Sequence, residues 1–551
     1  MIPGSEMKEK AGAALEGVGA WVERRAVVLM SALLVLFFVA LVGLAASDYL
    51  WYDELVILRV ARLQGWHAIW NFYASGLDTI GLLYALVLHA VLKMPMDAEV
   101  SSRLPAIVMF LVTLGCVFEF VRRRYAAVYA FAVVLLVMGY PFLDMAVFAK
   151  SYTFELAGIA SAMICWQRAM EGRSRGWNAL GVWLGLAVAI YSHTFAVFLF
   201  VPFAAAQWLG DARRKTIDWG MWAALVLFPA ALLPVVRGDL KASKLYGSNF
   251  WSQPSAALMK QTYIDYFVEN WRFLLLLLVA ALVVSVVLRG RAAAERAVRV
   301  ERAGFSKPEW LFVVLLAALP VYVLPAAYVL HAYRPDYVAV FAIGVAMLLV
   351  CAFAARCRGS QAAGAVVLIL FALVTLKVDL KTIPGGVRAM MHPMQVHARL
   401  QRNYDSQPWV KLLEKSGLPV LASDHLLYTR LDCYAPEDLR QRLYFLTDFA
   451  QVKEYPLSDT SQRNFLLFGR LLGYQTMDVG EFLPEHREFL MASDEGGDMK
   501  GETLWLPQYL IKQQAEGNAT MQFMGPALEV PNVYDVRFDR LPAFAVAGPL
   551  R

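Results

Sequence analysis

Eleven stretches of this chain carry almost no charge, and they leave little room for any fold but a bundle of membrane-crossing helices. They fall near 26–46, 104–121, 126–143, 152–167, 177–191, 194–209, 219–236, 271–288, 310–330, 337–355 and 361–378. A helix needs about 20 apolar residues to cross a bilayer, roughly 17 at the short end, so 177–191 must borrow its flanks. Composition agrees: 59% of the 551 residues are hydrophobic and 17% charged, where a soluble domain carries about 25% charged residues. Such a balance argues against nucleic acid as a partner. The five cysteines are scattered as Cys116, Cys165, Cys351, Cys357 and Cys433, a pattern that gives neither a disulfide framework nor a paired-cysteine metal site.

The polar connections fix an expected orientation. The apolar run 79–92 is only 14 residues long and contains His89, so it is read as a helix lying at the interface rather than crossing. Lys and Arg are then about three times as dense in the connections on the N-terminal side, including Arg122-Arg123-Arg124 and Arg213-Arg214-Lys215, as in those opposite. The expectation is an N-terminus inside, about 11 spans, and the C-terminal part outside. Residues 1–25 form a cytoplasmic segment and 26–378 the transmembrane domain, with a first outer loop at 47–101. The run Ala26–Ala46 is too long for the core of a signal peptide and is expected to persist as a helix. From residue 379 to 551 charges, Gln, Asn and Pro rise, which predicts one soluble α/β domain. There Pro419–Ser423 and Phe465–Phe468 read as strands and Glu437–Asp448 as helical.

Just past the first span lies Asp48-Tyr49-Leu50-Trp51-Tyr52-Asp53-Glu54. Carboxylates at a bilayer edge are costly unless something uses them. Adjacent helical residues point about 100° apart, so one of Asp53 and Glu54 can face a cavity while the other holds a neighbour. The bland alternative is a solvated loop carboxylate paired with Arg59 or Arg62. Other polar residues share the same edge: Lys150, Tyr152 and Glu155 around the start of the fourth span, His193 in a tight turn, and Arg334 before Pro335-Asp336-Tyr337. Each alone could snorkel, cap a turn, or, for Glu155, pair with Lys150. Together they form one layer, while the middles of the spans are almost free of ionisable groups. A coupled transporter needs charge or broken helices near mid-membrane; an enzyme working on lipid headgroups needs it at the edge.

On these residues the chain resembles the GT-C superfamily, membrane glycosyltransferases that use polyprenyl-phosphate sugars. The closer likeness is to the branch with protein O-mannosyltransferases and lipid A aminoarabinose transferases. Trp51-Tyr52-Asp53-Glu54 looks like the branch's first-loop Asp-Glu motif, and Arg103-Leu104-Pro105 like the element opening its second span. Ala149-Lys150-Ser151-Tyr152 is similar to its Ala-Arg-x-Tyr, with Lys for Arg. Tyr191-Ser192-His193 is similar to its Tyr-Thr-His turn, and Tyr333-Arg334 stands where an Arg-Tyr element is expected. Asp78 and Tyr84 match an interfacial-helix motif whose His-Pro-Pro is replaced by Ile80-Gly81-Leu82.

The resemblance implies an inverting transferase of the bacterial inner membrane, with its C-terminal domain periplasmic. It would move a sugar from a polyprenyl-phosphate donor to a lipid, glycan or protein acceptor among the membrane lipids. Asp53 would serve as base and Glu54 would orient the acceptor. Lys150, Arg334 and His193 would hold the donor phosphate, with Asp78, Tyr84, Tyr152 and Glu155 as further site residues. No cofactor is required, although a divalent metal at Asp53-Glu54 stays open. A lipid-linked glycan ligase or polymerase, a lipid flippase or transporter, and a non-catalytic partner-binding protein remain the alternatives.

Overall fold

The computed structural model describes residues 3–76, 81–234, 236–238, 240–241, 252–287, 304–379, 382–448, 460–494, 505–525 and 531–542. Helices dominate it. The polar N-terminal segment forms α1 (Pro3–Arg24), which lies along the apolar helix Gln361–Asp379. There follow α2 (Ala26–Ala45), α3 (Tyr52–Ala61), α4 (Trp66–Ala74), α5 (Leu82–Val91), α6 (Ala98–Arg122), α7 (Ala127–Val137), α8 (Phe142–Ala146), α9 (Tyr152–Met170) and α10 (Arg175–Ser192). Within the apolar run 79–92, Leu82–Val91 folds as the short helix α5, which tucks Leu82, Tyr84, Ala85 and Leu88 inward.

By length and apolar composition, three helices among the described residues can cross a bilayer: Ala26–Ala45, Ala98–Arg122 and Thr194–Arg214. Two bent pairs bring the number to five if each counts as one span. The breaks have local causes. Lys307–Ala317 and Leu319–Leu330 meet at 49° beside Pro320, which has no amide hydrogen to continue the ladder. The stretch 126–143 divides into α7 and α8 at Gly139-Tyr140-Pro141 for the same reason. In the other direction, α6 begins at Ala98, well before its apolar run. Its first turns bury Glu99, Ser101, Ser102 and Arg103.

Six short strands form one sheet in the C-terminal part: β1 (Val420–Ala422), β2 (Leu443–Thr447), β3 (Thr476–Asp478), β4 (Glu488–Ser493), β5 (Ala519–Gly525) and β6 (Asn532–Phe538). The order is β3-β2-β1-β4-β6-β5. The first four strands are parallel, and β6 runs antiparallel to β4 and β5. Two local expectations are corrected. Phe465–Phe468 lies inside the helix Thr460–Leu472, because a four-residue apolar run has no period of its own and its flanks continue a helix. Glu437–Asp448 is helical only to Gln441; Leu443-Tyr-Phe-Leu-Thr447 then pairs as β2, as its aromatic and β-branched content favours.

One face of the C-terminal part is continuous with the core of the helical part, while Leu421, Phe482, Phe489, Trp505 and Val536 form a second core within the C-terminal part. Buried Leu400, Tyr404, Trp409, Val420 and Leu431 are continuous with buried residues of α2 and α6. The helix Ile383–Met391 packs on α2 so closely that Gly43 faces Gly386, and a methyl group added at Gly386 would overlap the Val39 carbonyl. Gly386→Ala is therefore expected to lower stability by about 1–3 kcal/mol, the usual cost of overpacking. Thermal unfolding of the purified variant checks this, and an unchanged melting temperature would mean that the helices part freely.

Candidate active site

The site is built around the first turn of α3. Glu54, fully buried, reaches back to accept the Trp51 backbone N–H at 2.8 Å, a helix-start arrangement that also places negative charge at the positive end of the helix. The same carboxylate accepts Arg103 Nε at 2.8 Å and Nη2 at 2.7 Å, and the Ala149 backbone N–H at 2.7 Å. Four donors saturate it. Arg103, 4% exposed, spends its remaining hydrogens on the carbonyls of Ala45, Asp48 and Tyr49. Glu54 is thus the clasp that joins the end of α2, the start of α3, α6 and the loop before α9.

Asp53, one residue earlier, points the other way, as the 100° step requires. It forms an ion pair with Lys150, with the two side chains 35% and 15% exposed. The Glu54 bond to Ala149 fixes the backbone next to Lys150, so one carboxylate of the pair positions the partner of the other. Burial works to raise the Asp53 pKa, but the Lys150 ammonium, with Arg334 and His425 farther out, holds it below the ordinary carboxylate range. Neither Arg59 nor Arg62 is its partner: Arg59 pairs instead with Asp432.

Arg334 donates from Nη2 to Asp336 Oδ2 at 2.6 Å and remains 27% exposed on its side chain. His193 is 2% exposed. Its Nδ1 accepts the Phe195 N–H at 3.2 Å, which assigns the ring proton to Nε2. That Nε2 is buried without a hydrogen-bond partner among the described residues. Burial, with the charges of Lys150 and Arg334, pushes the His193 pKa down to about 3, so the ring is a neutral donor at pH 7. Its ring lies 4.4 Å from that of Tyr337. Tyr152 is buried, its hydroxyl also unpartnered among the described residues, and Lys150 Nζ stands 5.7 Å from its ring centre.

The other expected residues divide. Glu155 is buried one turn into α9, and no ion pair joins it to Lys150. Tyr84 is fully buried and donates its hydroxyl to the Ser102 carbonyl at 2.5 Å. Asp78 lies outside the described residues. Two functional neighbours escaped the sequence reading. Arg103 was visible as a motif residue but not as the partner of Glu54, and His425, from the C-terminal part, carried no signal at all. Among the described residues no group of three or more His, Cys, Asp or Glu side chains is gathered as a metal site requires.

Residues 80–236 match the family model of the dolichyl-phosphate-mannose-protein mannosyltransferases. The fold is similar to that of ArnT from Cupriavidus metallidurans in its apo state, with a TM-score of 0.51 and 15% identity, covering 92% of this chain and 97% of that one. A second structure of that protein, bound to undecaprenyl phosphate, compares at a TM-score of 0.48 with the same identity and coverage. No curated protein matches the chain significantly. The matched segment holds Lys150, Tyr152, Glu155 and His193, and the likeness to ArnT in fold extends over most of the chain.

Proposed function

We propose that the chain moves a sugar from a polyprenyl-phosphate donor to a hydroxyl or amine of a lipid, glycan or protein acceptor, inverting the anomeric centre. The reaction takes place at the outer face of a bacterial inner membrane, with residues 379–551 on that side. The observation that carries this reading is the ionised Asp53 set against Lys150, with Arg334 and the neutral donor His193 close by. A carboxylate faces the acceptor; two cations and a buried N–H suit a lipid phosphate.

The pairing also supports a sequence of events. At rest Lys150 neutralises Asp53 and weakens it as a base. An incoming phosphate diester competes for the same ammonium, and as Lys150 turns to it the Asp53 pKa rises toward the range in which a carboxylate accepts a proton well. The acceptor oxygen or nitrogen then attacks the anomeric carbon and its proton passes to Asp53. The carbon–oxygen bond to phosphate breaks, and the electron pair leaves on a lipid phosphate already stabilised by Lys150, Arg334 and His193. That leaving group departs as an anion, so no general acid is called for.

Arg334→Ala removes one charge-assisted contact to the phosphate, worth about 1.5–3 kcal/mol. The expected result is a rise of roughly 10- to 100-fold in the donor concentration needed for half-maximal rate, with a smaller change in kcat. Titrating extracted lipid donor against the purified variant checks it, and an unaltered donor dependence would return Arg334 to a purely structural pairing with Asp336.

A further inference from the structure

His425 opens the helix His425–Tyr434, whose start is capped by Asp424 accepting the Leu426 and Leu427 N–H groups at 2.9 Å. This helix lies against α3. Arg59 of α3 pairs with Asp432 and donates to the Leu472 carbonyl at 3.0 Å. The Leu50 N–H donates to the Tyr434 hydroxyl at 3.0 Å, and the Arg430 guanidinium sits 5.6 Å from the Trp51 ring centre. Contacts at both ends of α3 therefore set the register of the two helices. That register brings the His425 ring edge-on to Tyr52, centres 4.5 Å apart, with Asp53 the next residue along. Among the described residues, the charges that act on Asp53 are Lys150 and Arg334 from the helical part and His425 from the C-terminal part.

We infer that the C-terminal domain completes the active site by supplying His425 as a positioning residue that takes the transferred proton on from Asp53. This rests on the reading of Asp53 as the base. The balance is simple: the acceptor gives its proton to the Asp53 carboxylate, that proton moves to the free imidazole nitrogen of His425, and imidazolium releases it to water. Asp53 returns to its anion for the next turnover while Lys150 is still engaged by phosphate.

The groups facing His425 are Asp424 from its own helix start and Asp53 from α3, with Lys150 and Arg334 behind Asp53. Burial lowers the His425 pKa and the two carboxylates only partly restore it. The ring is neutral and able to accept at pH 7, and protonating it in advance should slow turnover on the acid side, below its ordinary value of about 6.5.

The test times product mass from roughly pH 5 to 9, adding the purified full chain to membranes extracted from a strain that lacks it and so holds unreacted donor and acceptor. His425→Gln is expected to reduce kcat by about tenfold or more, leave donor dependence unchanged, and move the acid limb to lower pH. His425→Ala is expected to regain part of its rate with free imidazole. A wild-type rate and acid limb in His425→Gln would overturn the inference. So would a uniform loss with an unmoved limb and no imidazole response, which marks a packing role only. Asp53→Asn run alongside separates the two claims: if it keeps the wild-type rate, the reading of Asp53 fails, whereas an inactive Asp53→Asn beside an unaffected His425→Gln removes the relay alone.

Discussion

Asp53→Asn is expected to reduce turnover by about 10²-fold or more while leaving the folded protein intact. The amide keeps the size of the carboxylate but cannot accept the acceptor's proton. The stability cost is expected to be small because the Asp53–Lys150 pair is partly open to solvent, and such pairs contribute about 0–1 kcal/mol. A melting temperature close to wild type together with a lost rate is the signature of a reacting group. Losing both would mean that Asp53 holds the structure, and keeping both would remove it from the mechanism.

Arg103→Met is expected to act in the opposite way, through folding. It leaves Glu54 buried with its charge unpaired, and breaking one partner out of a buried pair costs about 3–5 kcal/mol. Arg103→Lys should be little better. A single ammonium cannot serve both Glu54 oxygens and the carbonyls of Ala45, Asp48 and Tyr49, all of which the guanidinium fork reaches. The measurement is the yield and thermal unfolding of monodisperse protein. Wild-type behaviour of Arg103→Lys would mean that the clasp around Glu54 is held by its backbone donors alone. The contrast between neighbours is the useful part: Asp53 substitutions should cost rate, and Arg103 or Glu54 substitutions should cost the protein.

How much of this was legible in the sequence depends on the range of the interaction. Asp53, Lys150, His193 and Arg334 could be placed in one layer because each lies at the edge of an apolar run, a position that hydropathy reports directly. The short length of 79–92 likewise foretold α5. The division of 126–143 and 310–330 was written in Gly139, Pro141 and Pro320, residues that a hydropathy window averages away. Phe465–Phe468 was misjudged because four apolar residues suit a strand or a helix equally, and the choice belongs to its flanks and to the packing of Phe465. The opposed roles of Asp53 and Glu54 follow from helix geometry, but which one turns inward was decided by Arg103, far along the chain. His425 was invisible for the same reason in a stronger form: only the docking of one helix on another, through Arg59 and Asp432, brings it to the site.

The central claim is that this chain transfers a polyprenyl-phosphate-borne sugar at Asp53. Its most direct test is mass spectrometry of lipid-linked, lipopolysaccharide and protein glycans in a strain lacking the chain, complemented with wild type or with Asp53→Ala. The account predicts a sugar that disappears on deletion, returns with wild type and stays absent with Asp53→Ala, the missing mass naming sugar and acceptor together. Restoration by Asp53→Ala, or glycans identical in all three strains, would contradict it.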